Sequence, residues 1–370
     1  MKIVIFGLTL SSSWGNGHAT PYRALLRGLR KLGHELWFYE KDVEYYYWRR
    51  DFREVDYCEL VLYLEWNDVR QRALQDAAEA DAVIIGSFCP EGARIADEVL
   101  ALEKPLKIFY DLDTPVTLKE LERGDLDYLR REQLPAYDLV LSFTGGAVLE
   151  QLESRWAARA ARPLYGCVDP DVYQRVPANP DFSCALSYMG THSRDREEKL
   201  RELFLNVAEQ QPSDDFLLAG TMYPADWKFP ANLRRLDHIA PSRHAEFYSS
   251  SRATLNLTRG DMAANGWCPS GRFFEAAACG TPLFSDWFPG LNEFFTDGEE
   301  IRIVRSSKDV ITAMELGDRE LALMASRARE RTLEQHAGLR RAQELAAYLE
   351  QLRAPVSPLT SDGPAYEVLR

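Results

Sequence analysis

The chain of 370 residues is longer than one hydrophobic core usually organises, so two domains are expected, and its 46% hydrophobic residues suffice for two cores. The formal net charge of −13 opposes binding to nucleic acid or to an anionic membrane surface, because both require a basic face. A small anionic ligand is still allowed, since it needs only a few local cations and a helix amino-terminus. The clustered arginines Arg194, Arg196, Arg259 and Arg272 are candidates for these cations.

The amino-terminal half alternates short apolar runs with helical patterns, which indicates βαβ units and a parallel sheet. The chain starts with a short apolar run that we interpret as a buried strand, since no signal-peptide cleavage region follows it. The expected strands are residues 2–8, 35–39, 60–64, 82–86, 106–110 and 139–143. No apolar stretch approaches the roughly 18 residues of a membrane-spanning helix, so membrane insertion is not expected and only peripheral contact stays open.

Six scattered cysteines form no C-x-x-C pair, which argues against a zinc site or a disulfide framework. Reduced thiols in a cytoplasmic protein fit this pattern best. We therefore expect no structural metal and a cytoplasmic localisation.

The periodicity lapses after Tyr165 into sequence that contains proline and asparagine, and regular structure resumes near Ala185. Strands are expected at residues 185–190, 216–220, 236–239, 253–257, 282–285 and 300–304, followed by a long charged helix over about 319–352. We assign an amino-terminal domain to residues 1–167, a linker to 168–183, a carboxyl-terminal domain to 184–335, and a last helix and tail to 336–370. That last segment is a candidate to cross back to the amino-terminal domain.

The first βα turn, Trp14 to Pro21, contains two glycines and then His18 at a helix start. Ligands of parallel sheets bind at the carboxyl ends of strands, and a histidine accepts a proton near neutral pH. His18 is therefore a candidate general base, and the alternative is a histidine that only caps or packs the turn. The spacing after Gly7 does not match G-x-G-x-x-G, so a dinucleotide oxidoreductase with Glu40 on the ribose is a weaker alternative.

Two carboxylates, Asp111 and Asp113, directly follow the fifth expected strand. Either one is a candidate to orient His18 and to stabilise its imidazolium form. A D-x-D metal site is the lower-ranked alternative. Capping of the turn before Pro115 explains one of the two residues equally well.

The run from Tyr45 to Arg50 contains four aromatic residues and then two arginines. Aromatic faces and guanidinium groups suit stacking on sugars or on an aromatic acceptor. Packing of the rings onto the sheet is the alternative.

The segment from Pro269 to Pro282 gives the strongest pattern. Ser270 and Gly271 leave free backbone N–H groups at a helix start, and the positive end of the helix dipole favours a diphosphate there. Glu275 lies about one turn deeper, where its carboxylate can accept hydrogen bonds from ribose hydroxyls.

This segment resembles the P-S-x-x-x-x-E-A-x-A-x-G-x-P donor motif of GT-B glycosyltransferases. The half from Ser187 onward is more closely similar to the CgeB-like (spore-maturation-type) group-1 glycosyltransferases, through Tyr188 to Thr191, Phe247-Tyr248, Leu255 to Arg259 and Asp286 to Phe295. In the other half, Gly17 to Pro21 with Gly33 to Glu35 resembles the G-H-x-x-P and G-H-x-V pattern of GT-B enzymes, whose histidine is the base of many inverting members.

The resemblance implies an α/β fold of two facing Rossmann-like domains with parallel sheets and a cleft between them. It places Gly190, Thr191 and Arg196 near the phosphates, Arg259 near the diphosphate, Ser270 and Gly271 as backbone donors, and Glu275 on the ribose. Retaining relatives carry a second glutamate eight residues before Glu275, and this chain has Trp267 there. The departure favours inversion with His18 as the catalytic group.

The sequence therefore predicts a glycosyltransferase that moves a sugar from a nucleoside-diphosphate-sugar donor to a hydroxyl of a small molecule or glycan, without an obligatory metal or cofactor. A nucleotide-sugar epimerase on the same fold is the second hypothesis. A non-catalytic nucleotide-sugar-binding or scaffold protein is the third. The nucleotide, the sugar and the acceptor are not named by the sequence.

Overall fold

The computed structural model describes residues 1–354 and arranges them around two parallel sheets. The first sheet contains seven strands: β1 Lys2–Gly7, β2 Glu35–Lys41, β3 Glu59–Tyr63, β4 Ala82–Gly86, β5 Leu106–Asp111, β6 Leu139–Ser142 and β7 Ala161–Pro163. Their order across the sheet is β3-β2-β1-β4-β5-β6-β7, and the described pairings are parallel. The chain thus extends this sheet in one direction from β1 and then in the other from β4.

Helices cover both faces of this sheet, as a parallel sheet requires. They are α1 Ala19–Lys31, α2 Glu44–Tyr47, α3 Trp66–Glu79, α4 Gly92–Leu100, α5 Thr114–Leu121 and α6 Ala147–Ser154. Strands β1, β4 and β6 alternate their side chains between two cores. Val4 and Phe6 pack with α3 and α4, whereas Ile3 and Ile5 pack with α1.

The second sheet has the order β10-β9-β8-β11-β12-β13 and is parallel in the same way. Its strands are β8 Cys184–Met189, β9 Phe216–Ala219, β10 Leu233–Leu236, β11 Ser251–Asn256, β12 Leu283–Ser285 and β13 Arg302–Ile303. The helices are α7 Glu197–Leu200, α8 Asn206–Gln210, α9 His244–Ser250, α10 Gly260–Asn265, α11 Gly271–Ala278, α12 Ser307–Met314, α13 Asp318–Gln335 and α14 Gly338–Arg353, with a π-helical stretch Arg201–Leu205 joining α7 to α8.

Two segments pass between the halves and lie side by side. The Val168 N–H donates to the His336 carbonyl at 3.0 Å, and the Gly338 N–H donates to the Val168 carbonyl at 2.9 Å. Beyond this crossing α14 packs on α1, where a Cβ atom at Gly28 would collide with the Gly338 carbonyl. The two glycines therefore permit a helix contact that any larger residue would push apart.

Three expectations for the elements need correction. The expected strand 236–239 is instead Leu233–Leu236, because pairing of Leu233 with Phe216 fixes the register. The single long helix expected over 319–352 is two helices, since residues 336 and 337 make the crossing with Val168. The short edge strand β7 was not expected. The predicted tail after residue 354 lies outside the described residues.

The six cysteines are free thiols in the described part of the chain. None of the helices within residues 1–354 is long and apolar enough to cross a bilayer.

Candidate active site

A cavity of about 550 Å³ lies between the carboxyl edges of the two sheets. In each sheet it opens beside the point where the strand order reverses, between β1 and β4 in the first and between β8 and β11 in the second. Ligands of open parallel sheets bind at such switch points. The cavity therefore has an amino-terminal wall and a carboxyl-terminal wall, each built from loops that follow strands.

His18 stands on the amino-terminal wall, immediately before α1. The Asn16 side-chain oxygen accepts hydrogen bonds from the backbone N–H groups of His18 and Ala19, at 3.0 and 3.1 Å, and this fixes the turn. The imidazole Nε2 lies 3.1 Å from Asp113 Oδ2. The other ring nitrogen, Nδ1, is buried and finds no hydrogen-bond partner among the described residues.

The two predicted carboxylates have different surroundings. Asp113 reaches His18, whereas Asp111 is fully buried and accepts hydrogen bonds from the Asp113 N–H at 3.0 Å and the Thr117 hydroxyl at 2.9 Å. Burial raises the pKa of Asp111 to about 7. Asp111 thus supports the turn that carries Asp113, and the expectation that either carboxylate could contact the imidazole holds for Asp113 only.

The alternative D-x-D metal site has little local support. Asp111 points into the turn and Asp113 towards His18, so the two carboxylates do not converge on one point. Among residues 1–354, no group of three or more histidine, cysteine or acidic side chains has a metal-binding arrangement.

The carboxyl-terminal wall contains the start of α11. Ser270 precedes the helix, Gly271 is its first residue, and both line the cavity. The Ser270 hydroxyl donates to the Asn256 side-chain oxygen at 2.7 Å, so the side chain anchors the turn to the end of β11. Within residues 1–354 the N–H groups of Gly271 and Arg272 have no partner, whereas the Phe273 N–H donates to the Ser270 carbonyl at 3.0 Å. The positive end of the helix dipole thus faces the cavity.

Three arginines surround this helix start. The Arg196 side chain is buried, and its Nη2 donates to the Thr191 carbonyl at 2.6 Å while Nε has no partner in the described part of the chain. Arg272 is half-buried and donates to the Met189 carbonyl. Burial lowers the pKa of Arg196, the charge of Arg272 acts in the same direction, and the charge of Asp195 offsets these effects only in part. The family resemblance assigned no role to Arg272, although it directly follows Gly271.

Gly190 and Thr191 follow β8 and line the cavity beside these guanidinium groups. The Gly190 carbonyl accepts a hydrogen bond from the Tyr223 hydroxyl at 2.7 Å. This contact and the Arg196 contact at Thr191 fix the loop after β8 against the wall.

Arg259 is the most accessible of the arginines and contacts both halves of the protein. Its Nε lies 3.2 Å from Asp195 Oδ2, and its Nη1 lies 3.9 Å from Asp113 Oδ1 on the opposite wall. Asp286 fixes the loop that carries Arg259. Its carboxylate accepts a hydrogen bond from the Thr258 N–H at 2.9 Å and forms an ion pair with Lys199 at 2.5 Å. The supporting pair Asp286 and Lys199 was not predicted, because the two residues are distant in sequence.

Glu275 lies one turn into α11, buried at the floor of the cavity. Burial raises the pKa of its carboxyl group to about 7, against the opposing effects of Arg272 and of the hydroxyl groups of Tyr173 and Tyr248. His244 Nδ1 is 3.9 Å from its Oε2. The two tyrosines and the histidine were not predicted as parts of the site.

Trp267, at the position where retaining relatives have a glutamate, joins the two halves. Its backbone has φ = 45°, its carbonyl accepts from the Gly145 N–H at 3.1 Å, and its indole lies against Gly146 and Gly290. The indole N–H donates to Glu293 at 2.6 Å. At the position of that glutamate, Trp267 therefore provides an aromatic contact between the two halves instead of a carboxylate.

Some side chains of the aromatic and basic run Tyr45 to Arg50 pack against the protein, and others are exposed. Tyr46 is buried at the cavity edge, whereas 79% of Trp48 is exposed. Arg49 stacks over Trp14 at 4.2 Å, and the Trp14 ring lies 4.5 Å from the His238 ring of the opposite wall. The run therefore supports a stack of side chains that crosses the mouth of the cleft.

Glu40 does not have the free position that a ribose-binding acid needs. Its buried carboxylate accepts hydrogen bonds from Leu10 N–H at 2.7 Å, Ser11 N–H at 2.9 Å and the Thr9 hydroxyl at 2.9 Å. The weaker alternative, a dinucleotide oxidoreductase with Glu40 on the ribose, is wrong in its assignment of Glu40, because this carboxylate holds the loop that leads to His18.

Comparison with known proteins gives a family match to part of the chain and a fold match to nearly all of it. Residues 196–347 match the sequence model of the family described as "Glycosyl transferase-like". A search of curated protein sequences finds no match.

Similar solved structures share the arrangement of both halves. Sucrose-phosphate synthase from Thermosynechococcus elongatus is 13% identical, with a TM-score of 0.66 over 95% of this chain and 99% of that chain. An alpha-glucosyltransferase in complex with UDP is 15% identical, with a TM-score of 0.66, and the match covers 95% of this chain and 100% of that chain. HepE from Anabaena, in complex with UDP and glucose, is 12% identical, with a TM-score of 0.61 over 95% and 100%.

The two facing parallel sheets, the cleft between their switch points and these likenesses confirm the predicted fold class. The chain has the GT-B fold of glycosyltransferases, and its residues 196–347 match the glycosyl transferase-like family.

Proposed function

We propose that the protein is a glycosyltransferase that moves a sugar from a nucleoside-diphosphate-sugar to an acceptor hydroxyl in the cleft. The observation that carries the proposal is the pair of guanidinium groups beside the start of α11, the buried Arg196 and the half-buried Arg272. Neither forms an ion pair with a carboxylate in the described residues, so the wall provides positive charge for a diphosphate. UDP-glucose is the first donor to test, since two of the similar structures contain UDP.

In the proposed donor site, Ser270 and Gly271 supply backbone N–H groups and Glu275 accepts from the ribose hydroxyls. Gly190 and Thr191 line the phosphate region, and Arg259 approaches the diphosphate from the accessible side. This charge distribution stabilises the leaving nucleoside diphosphate without an obligatory metal or other cofactor.

For the chemical step we propose inversion with His18 as the general base. In the tautomer that donates Nε2–H to Asp113, Nδ1 carries a lone pair that has no partner within residues 1–354, and because Nδ1 is buried the acceptor reaches it only after a side-chain rotation. The acceptor oxygen forms a bond to the anomeric carbon, the acceptor proton moves to Nδ1, and the bond from the anomeric carbon to the phosphate oxygen breaks. The nucleoside diphosphate leaves with the electron pair, and Asp113 stabilises the imidazolium ion.

We further propose that the chain belongs to the CgeB-like subgroup and acts in the cytoplasm on a small molecule or glycan. The residues that support the subgroup are those of its motif order, from Tyr188 through Asp286. The scattered thiols support the localisation.

The direct test titrates the protein with UDP-, GDP- and dTDP-sugars and then measures release of the nucleoside diphosphate with and without added acceptors. We expect binding of one nucleotide class, slow hydrolysis without acceptor and inverted configuration at the anomeric carbon of the product by NMR. Activity should persist in EDTA. Binding of no nucleotide-sugar would contradict the proposal, and conversion of the donor into its epimer would favour the epimerase instead.

A further inference from the structure

Phe88 occupies an unusual backbone conformation at the end of β4. Its φ of 59° lies in the left-handed region, which is unfavourable for a residue with a side chain. The flanking backbone fixes it, since the Ser87 N–H donates to the Tyr110 carbonyl at 2.9 Å and the Ser87 hydroxyl accepts from the Leu112 N–H at 3.0 Å. The strained turn is thus imposed by the surrounding hydrogen bonds.

The strained turn directs a large apolar ring into the cavity. Phe88 remains 39% exposed and lies at the switch point between β1 and β4. One side packs on the Tyr128 ring at 4.9 Å, and the ring stands at 88° to the His18 imidazole, 5.5 Å away. An exposed aromatic ring is thus placed next to the group that would receive the acceptor proton.

The wall around Phe88 contains little charge. Among the described residues that line it, from Leu8 to Phe143, Asp113 is the one carboxylate, and no lysine or arginine is present. The cations of the cavity lie on the opposite wall. From that wall Arg259 reaches Asp113 at 3.9 Å and Asp195 at 3.2 Å, so an anionic acceptor would compete with two carboxylates for this cation, which favours a neutral acceptor.

Polar groups on the same wall lack partners. The Ser13 hydroxyl and His18 Nδ1 are both buried without a hydrogen-bond partner within residues 1–354, and both residues line the cavity. Both atoms are covered by protein in this conformation, so an acceptor reaches them only after a side-chain rotation. A ring with hydroxyl groups then pairs with them and stacks on Phe88, whereas a purely aromatic acceptor leaves them without partners, at a cost in free energy.

We propose that the wall from Ser13 to Phe88 is an acceptor subsite for a neutral sugar residue, with the Phe88 ring as the stacking surface beneath it. The inference deepens the proposed transferase function and rests on it for the role of the bound sugar. Phe88 acts here by binding the acceptor, and the sugar hydroxyl that reacts is the one nearest His18.

The test compares methyl glucoside with its uronic acid analogue and with a phenol as acceptors, using UDP-glucose as donor and UDP release as the readout. We expect the neutral glycoside to be used at least about tenfold better, in kcat/KM, than either competitor. Saturation-transfer NMR measures binding of the glycoside independently of transfer.

Phe88→Leu removes the ring and keeps the strained backbone, whereas Phe88→Gly removes both. Each should raise the KM for the glycoside up to about tenfold and weaken its NMR signal, while the Kd for UDP stays within about twofold. Phe88→Tyr should recover the affinity, and Leu64→Ala, at an exposed apolar position outside the cavity, is the matched control.

The results distinguish failure of the acceptor subsite from failure of the transferase function. Unchanged glycoside binding in both Phe88→Leu and Phe88→Gly would overturn the subsite, as would preference for the uronic acid or the phenol. Glycoside binding that depends on Phe88 without any sugar transfer from a nucleotide donor would preserve the subsite and contradict the transferase function.

Discussion

The two walls of the cleft carry opposite chemistry. The amino-terminal wall combines aromatic rings with the His18–Asp113 pair, whereas the carboxyl-terminal wall combines Arg196, Arg272 and a helix start. A protein with a net charge of −13 thus places cations on one side of a single cavity. In the proposed reaction, the leaving anion and the neutral acceptor are therefore bound by walls that belong to different sheets.

The largest predicted effect is the loss of kcat when the proposed base, His18, is removed. In His18→Ala we expect kcat to fall by about 10²- to 10⁴-fold, because no group then takes the acceptor proton, while the donor Kd changes little. Steady-state kinetics with the preferred donor and a calorimetric Kd measure both. Asp113→Asn should also lower kcat, by leaving the imidazole without its carboxylate. A loss below about tenfold in His18→Ala would remove His18 from this role.

The next effect tests the cationic wall. Arg196→Gln should weaken binding of the nucleoside diphosphate by about 10- to 100-fold, since it removes a charged donor from an enclosed site. Arg201→Gln is the matched control, because Arg201 is close in sequence but stacks on Trp227 outside the cavity. Equal affinities in the two variants would show that Arg196 does not contact the diphosphate.

A smaller effect is expected at the ribose position. Glu275→Ala should weaken donor binding about tenfold with less change in kcat, because the carboxylate contacts the part of the donor that does not react. Glu299→Ala, on an exposed turn, controls for removal of an acidic residue. Thermal melting of both variants checks that the fold is retained. Unchanged donor affinity would contradict the ribose assignment.

The smallest effect is a pH dependence. The pKa of Glu275 is raised to about 7 by burial, so the carboxyl is largely protonated at pH 6 and ionised at pH 8. Only the ionised form accepts from both ribose hydroxyls, so affinity for an intact nucleotide-sugar should rise a few-fold over this range. Burial lowers the pKa of the adjacent His244 to about 4, so His244 stays neutral throughout. The same slope in Glu275→Gln would assign the titration to another group.

The sequence predicted the alternation of strands and helices, because apolar periodicity follows from burial of each strand between helices. It also placed His18 in the first βα turn and both Asp111 and Asp113 after the fifth strand, and parallel strands bring such turns to one edge of a sheet, but it did not distinguish the two carboxylates. The sequence did not predict elements whose bounds depend on contacts between residues that are far apart in the chain. The break between α13 and α14 is an example, since its cause is the contact of Val168 with Ala337.

The supporting residues of the site were harder to predict for a similar reason. Arg196 is held by the Thr191 carbonyl nearby, but Arg272 reaches Met189 and Lys199 reaches Asp286, across long stretches of sequence. No local pattern encodes these contacts. Phe88 also gave no signal, because a phenylalanine with positive φ has no sequence pattern comparable to glycine in a turn.

The contact of α14 with α1 has a consequence for synthesis of the protein. Leu25 and Leu29 of α1 belong to the same core as Leu345 and Leu349 of α14, at opposite ends of the described chain. On the ribosome, the amino-terminal sheet therefore emerges with an apolar face that waits for the last helix. A nascent chain stopped before Gly338 would leave this face uncovered and open to aggregation, so the amino-terminal half completes its core only after α14 has been made.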